Sequence, residues 1–122
     1  MIFAPVSESI QYIKAGTLRA LAVTTAARLD VLPDVPTVAE FVPGYEASGF
    51  AGIGAPRNTP VEIIDMLNKE LNAGLADSKV KARIVELGGT VAGGSPAEFA
   101  TILSEATEKW ARVIKFAGIK AE

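Results

Sequence analysis

"IKAGTLRALAVTTAARLDVLPDVPTVAEF", residues 13–41, sets a glycine stop, an apolar run, a double-proline elbow and a Thr-x-x-Glu box in a row. Gly16 stands where a helix over residues 5–15 would end, with Val6, Ile10 and Ile13 at helical spacing before it. The run "LRALAVTT", 18–25, is almost unbroken after Arg19, the pattern of a strand covered on both faces. Pro33 and Pro36 push the residues before them into extended backbone, and Asp34 between them suits an Asx-type turn. Asp34 therefore has two readings, a ligand group or a steering turn, and the turn chemistry favours the second. Thr37 and Glu40 match a capping box, so "TVAEF" reads as a short helix, stopped by Pro43 and Gly44.

Outward from this stretch the same logic continues. "MIF", 1–3, reads as the end of a buried strand, a start abrupt enough to suggest that an upstream part is missing. It has no basic lead, no long apolar run and no small-residue cleavage site, so it does not read as a signal peptide. "ASGFAGIGAP", 47–56, reads as an extended segment passing close to other backbone. "RNTPVEIIDMLNKELNAGLA", 57–76, reads as a helix with Thr59 as cap, Pro60 at its first position and Glu62 completing a box. Its stripe of Ile63, Ile64, Leu67, Leu71 and Leu75 predicts a core-facing side. A helix over about 78–87 turns Val80, Ile84 and Leu87 inward and stops at Gly88 and Gly89. "TVAGG" is a short strand or loop. The longest helix opens on the Ser95 to Glu98 box and carries Phe99, Leu103, Ala106, Trp110, Val113 and Ala117 along one side to Gly118. The order of elements predicts an α/β chain.

Composition excludes several functions. The 122 residues hold 12 basic and 14 acidic groups, spread without any basic track for nucleic acid. There is no cysteine, so thiolate zinc and iron–sulfur sites are excluded, and no histidine, which removes the commonest general base and metal ligand. No cofactor and no metal site are expected, and catalysis is the less favoured class.

The glycine-rich "GGTVAGGS", 88–95, has phosphate-loop spacing but lacks the lysine and follows a helix rather than a strand, so helix stop and helix cap explain it better. Trp110 shares a face with other apolar residues and reads as core rather than as a stacking platform. Glu105, Glu108 and Lys109 read as a solvated face. In parallel α/β sheets, ligands gather beyond the carboxyl ends of strands, where helix N-termini favour anions. Ala4–Pro5–Val6–Ser7 and Thr24–Thr25 fit that rule, with an ordinary strand exit as the competing reading for each.

Taken together, these stretches resemble the Bug-type periplasmic solute receptors of tripartite tricarboxylate transporters. The resemblance lies in Leu-Ala-Val-Thr, the Arg, and Leu-Pro-x-Val-Pro-Thr-x-x-Glu of 13–41, in "GFAGIGAPRNTPVEIIDMLNKEL", and in "GSPAEFATILSEATEKWARVIKFAGIKAE". It implies the C-terminal portion of a two-lobed type II periplasmic-binding-protein fold. Residues 1–47 would then be the end of the second lobe, and 48–122 the C-terminal part of the first. The glycine-rich loops that hold the ligand's carboxylates in that family have no counterpart here, and Phe50 stands where the family commonly has Trp. Phe3, Ser7, Thr24, Thr25 and Phe50 are then expected at the cleft rim. The resemblance also implies a periplasmic location, a small carboxylate ligand and, at full length, membrane transporter subunits as partners. The other reading is a freestanding α/β module that covers its open sheet edges by forming a homodimer.

Overall fold

The computed structural model describes residues 1–120. Among the described residues four α-helices form, α1 (Val6–Lys14), α2 (Val61–Ala76), α3 (Ser78–Glu86) and α4 (Pro96–Ala117), with one 3-10 turn at Val38–Glu40. The chain divides into two units, Met1–Ile53 with Ala73–Ala92, and Gly54–Asn72 with Gly93–Glu122.

Three of the helices, α1, α3 and α4, stop at glycines. At the end of α1, Gly16 N–H donates to Ile13 O and Thr17 N–H to Tyr12 O, with Gly16 at φ 73°. Gly88 and Gly89 repeat the pattern after α3, donating to Val85 O and Ile84 O. Gly118 and Ile119 repeat it after α4, donating to Lys115 O and Ile114 O. Each is a Schellman closure, in which a residue without a Cβ takes the left-handed conformation and the last carbonyls find donors.

In the first unit the core is small and centred on the elbow. Ile10 of α1 is fully buried, and Val23, Leu32 and Thr37 are buried with it. Val23 N–H donates to Pro36 O and Val38 N–H to Val23 O, both at 2.9 Å, forming an isolated parallel bridge between Val23 and Thr37. Ala47 N–H adds a bond to Thr24 O at 2.9 Å. The end of α3 packs here as well: a Cβ on Gly88 would lie 2.4 Å from Val6 Cγ1 and 3.5 Å from Val31 Cγ2.

In the second unit, the loop before α4 is pinned to α2. Asn68 Nδ2 and Asn72 Nδ2 both donate to Gly94 O, at 2.8 and 2.9 Å, and Gly94 N–H donates back to Asn72 Oδ1 at 2.9 Å. The two asparagines sit four positions apart, one helical turn, so their amides reach the same carbonyl. The loop then delivers Ser95 as the cap of α4.

Three expectations are corrected. The apolar runs 1–3, 18–25, 47–56 and 90–94 are extended but form no ladder among the described residues beyond the Val23–Thr37 bridge. A strand exists only through bonds to a neighbouring strand, and among the described residues only Val23 and Thr37 pair in this way. The Thr59 box does not form: the Thr59 hydroxyl donates to Pro56 O at 2.8 Å, and Pro60 O takes the first helical bonds from Ile63 and Ile64. Left-handed Asn58, at φ 68°, makes the turn that aims the hydroxyl backward. Finally, no described residue of α2 or α4 is buried: along their stripes Ile64, Leu75, Phe99 and Ala106 are half-buried and the others exposed. On α3 and its C-cap, Ile84 and Leu87 are half-buried but Val80 is exposed.

Candidate functional site

The N-terminus of α1 differs from those of its neighbours. Asp77 accepts from Lys79 and Val80 N–H at the start of α3, and Ser95 accepts from Glu98 N–H at the start of α4. The cap of α1 is Pro5, which has no side-chain acceptor to offer, so the first N–H groups of that helix meet no side-chain cap. Pro5 O takes bonds from Glu8 N–H and Ser9 N–H, and Ser9 Oγ donates to it at 3.0 Å. An uncapped helix start carries partial positive charge and aimed donors, the chemistry that attracts a carboxylate. Glu8 in the first turn supplies part of the opposing charge from within the chain.

Of the residues expected at the site, all lie within the first unit. Ser7 is exposed in the first turn of α1, and Phe3, just upstream, is 75% exposed. Thr24 is half-buried, with its carbonyl engaged by Ala47 N–H. Thr25 is half-buried, and its hydroxyl donates to Ala27 O at 2.6 Å. That proton is therefore committed, and Thr25 can donate to a carboxylate only by releasing Ala27 O. Phe50 is exposed.

The elbow is built differently from the Asx turn expected at Asp34. Asp34 is exposed and none of the side-chain bonds of the turn involves its carboxylate. Arg28 does the steering: Nε and Nη2 bind the two Glu40 carboxylate oxygens at 2.9 and 2.7 Å, while Nη1 donates to Pro33 O at 3.1 Å. Glu40 Oε1 also accepts Thr37 N–H at 2.9 Å, and Thr37 Oγ1 accepts Glu40 N–H, completing the expected capping box. The Arg28 guanidinium, followed by the Thr37 N–H, holds the Glu40 carboxyl down to about 2. Both partners remain substantially exposed, so the pair contributes register and geometry more than net stability.

The glycine-rich loop is occupied by the chain itself. Gly88 and Gly89 close α3, Gly94 N–H is bound by Asn72, and Ser95 N–H donates to Glu98 Oε2 at 2.7 Å. Those bonds from Ser95 hold the Glu98 carboxyl below its ordinary value. Trp110 is 41% exposed, with Lys109 Nζ 5.7 Å from its ring centroid, so Lys109 lies half-buried against the indole rather than in open solvent. Sequence reasoning missed the Arg28 clasp and the Asn68–Asn72 clamp. The signal for the second was two amides one turn apart ahead of a glycine-rich loop.

The backbone of this chain, superposed on solved receptors, is part of a periplasmic-binding-protein fold. Residues 1–119 match the family model described as "Tripartite tricarboxylate transporter family receptor", and the chain belongs to that family. A UPF0065 protein of Bordetella bronchiseptica is 37% identical over 107 residues, 88% of this chain and 32% of its own length. Protein BugT of Bordetella pertussis is 31% identical over 112 residues, covering 91% of this chain and 34% of its own length. Two solved structures superpose with a TM-score of 0.87 over 93% of the chain: R. palustris Rpa4515 with adipate, 38% identical, and the periplasmic binding protein BugD, 35% identical. The chain spans about a third of the length of these two curated relatives, and 38–39% of the two solved chains.

Proposed function

We propose that this chain forms part of a periplasmic receptor that holds a small carboxylate and passes it to the membrane subunits of a tripartite tricarboxylate transporter. Its membership of the receptor family across residues 1–119 carries this reading. The adipate in the R. palustris relative supports the carboxylate, and so does the uncapped start of α1. Binding rests on N–H groups and hydroxyls rather than on a charged clamp, and no bond is made or broken. Phe3, Ser7, Thr24, Thr25 and Phe50 are proposed to line the rim, with residues 1–47 assigned to one lobe and 48–122 to the other.

The 122-residue chain by itself is proposed to bind weakly, since nothing in it matches the family's carboxylate-holding loops. Titrating it with adipate while following backbone amide resonances tests this. Saturable shifts centred on Val6, Ser7 and Thr24–Thr25 are the expected result. Shifts centred on the start of α4 instead, or none at any adipate concentration, would overturn the assignment of these residues.

A further inference from the structure

Residues 24–27, which carry the two threonines proposed for the rim, hang between two attachments to one short segment of the elbow. At the upstream end Val23 is buried and bonded through its backbone to Pro36 and Val38, on either side of Thr37. At the downstream end Arg28 grips both Glu40 oxygens through Nε and Nη2, and Pro33 O through Nη1. Inside the loop the Thr25 hydroxyl donates to Ala27 O, the carbonyl next to Arg28. Among the described residues, no backbone N–H of Thr24, Thr25, Ala26 or Ala27 donates to another backbone group. Those N–H groups and the Thr25 hydroxyl are the donors that this loop can offer an anion. Donors serve an anion best when held in one arrangement before it arrives, because ordering them on arrival lowers affinity.

The two attachments are unequal. The Val23 bonds are main-chain and buried, whereas the Arg28 grip is an exposed ion pair, a kind that adds little to global stability. We propose that Arg28 is a positioning residue for the rim: its grip on Glu40 and Pro33 fixes the downstream end of the 24–27 loop, and with it the Thr25 side chain and the loop N–H groups that meet a carboxylate. Thr25 then changes acceptor, from Ala27 O to the ligand, by turning its O–H bond alone. The inference deepens the carboxylate reading and rests on it. Lysine cannot replace the arginine, since one ammonium on a flexible stem does not reproduce a planar fork that meets three oxygens together.

The test compares the 122-residue chain with Arg28→Lys and, as a control matched for lost stability but placed in the other unit, Gly118→Ala. Vicinal carbon and nitrogen couplings to the Thr25 methyl group report its χ1 rotamer without any ligand. The unsubstituted chain and Gly118→Ala should each show one rotamer, and Arg28→Lys an average over several. Adipate is then titrated while the Thr24 and Thr25 amides are followed. A loop that keeps the competent arrangement about a third of the time binds about threefold more weakly. Arg28→Lys should therefore raise the adipate Kd about threefold or more, with a thermal midpoint no lower than that of Gly118→Ala.

A single Thr25 rotamer in Arg28→Lys would overturn the inference, and so would equal averaging in Gly118→Ala, which would reduce the clasp to general stability. Averaged couplings with an unchanged adipate Kd would overturn the positioning role as well. Adipate that binds none of the three chains would sink the carboxylate reading, while the ligand-free couplings would still decide whether Arg28 sets the loop.

Discussion

The elbow, residues 23–40, and the long helix α4 are both organised by a capping box, yet they stand differently toward water. At the elbow, Val23, Leu32 and Thr37 are buried, and the Thr37 box is backed by Arg28. In α4 the Ser95 box is equally complete, but no residue of the helix is buried. The difference separates two things that sequence patterns tend to merge. Caps and glycine stops decide that a helix forms and where it ends. Whether its apolar side is covered depends on residues far away along the chain, or outside it.

Point substitutions in the two regions test that separation. Ile10→Ala removes the one completely buried large side chain among the described residues and should cost about 3 kcal/mol. Leu103→Ala, on a half-open stripe, should cost less than about 1 kcal/mol in the isolated chain. Urea unfolding of both variants measures the contrast, and equal losses would mean that α4 is already packed. Gly88→Ala and Gly118→Ala come next. Both glycines have positive φ, at 79° and 65°, but a Cβ at Gly118 meets nothing within 4 Å while one at Gly88 strikes Val6. Gly118→Ala should cost about 1 kcal/mol from backbone strain alone, and Gly88→Ala about 2 kcal/mol or more. Thermal midpoints that fall by the same amount would break the claim that α3 packs tightly on α1.

The smallest effect belongs to the clasp. The Glu40 carboxyl is depressed from 4.5 to about 2 in the folded chain. A depressed acid stabilises the fold in full above its ordinary value, and that contribution is lost as pH falls through about 2. Glu40→Gln should therefore lower the midpoint slightly at neutral pH, with wild type and variant converging in acid. A carbon-13 titration placing Glu40 near the ordinary 4.5 would sink the bidentate geometry.

Much of this was legible in the sequence because it is local. Gly16, Gly88 and Gly118 end their helices as expected, and the Thr37–Glu40 and Ser95–Glu98 boxes form with both reciprocal bonds. Where the reading went astray, the deciding partner lay elsewhere. Thr59 has the right neighbours for a cap, but left-handed Asn58 turns its hydroxyl toward Pro56. Asp34 has the right neighbours for an Asx turn, but Arg28 reaches across from the other side of the elbow to Glu40 and Pro33. Strand-like runs such as 18–25 have the composition of a buried ladder, and a ladder is a property of two segments rather than one. At the candidate site, Ser7 and the α1 start could be placed from the Pro5 junction alone. That the Thr25 proton is already given to Ala27 could not, because the bond depends on the loop's own path.

The isolated bridge between Val23 and Thr37 also has a meaning in time. It closes a loop of modest length within one continuous stretch of chain, and loops of that order close in roughly 10–100 ns. Contacts between Val6 and Gly88, by contrast, must wait for most of the sequence to be present. On a growing chain, then, the elbow can set before the helices that follow it have been made.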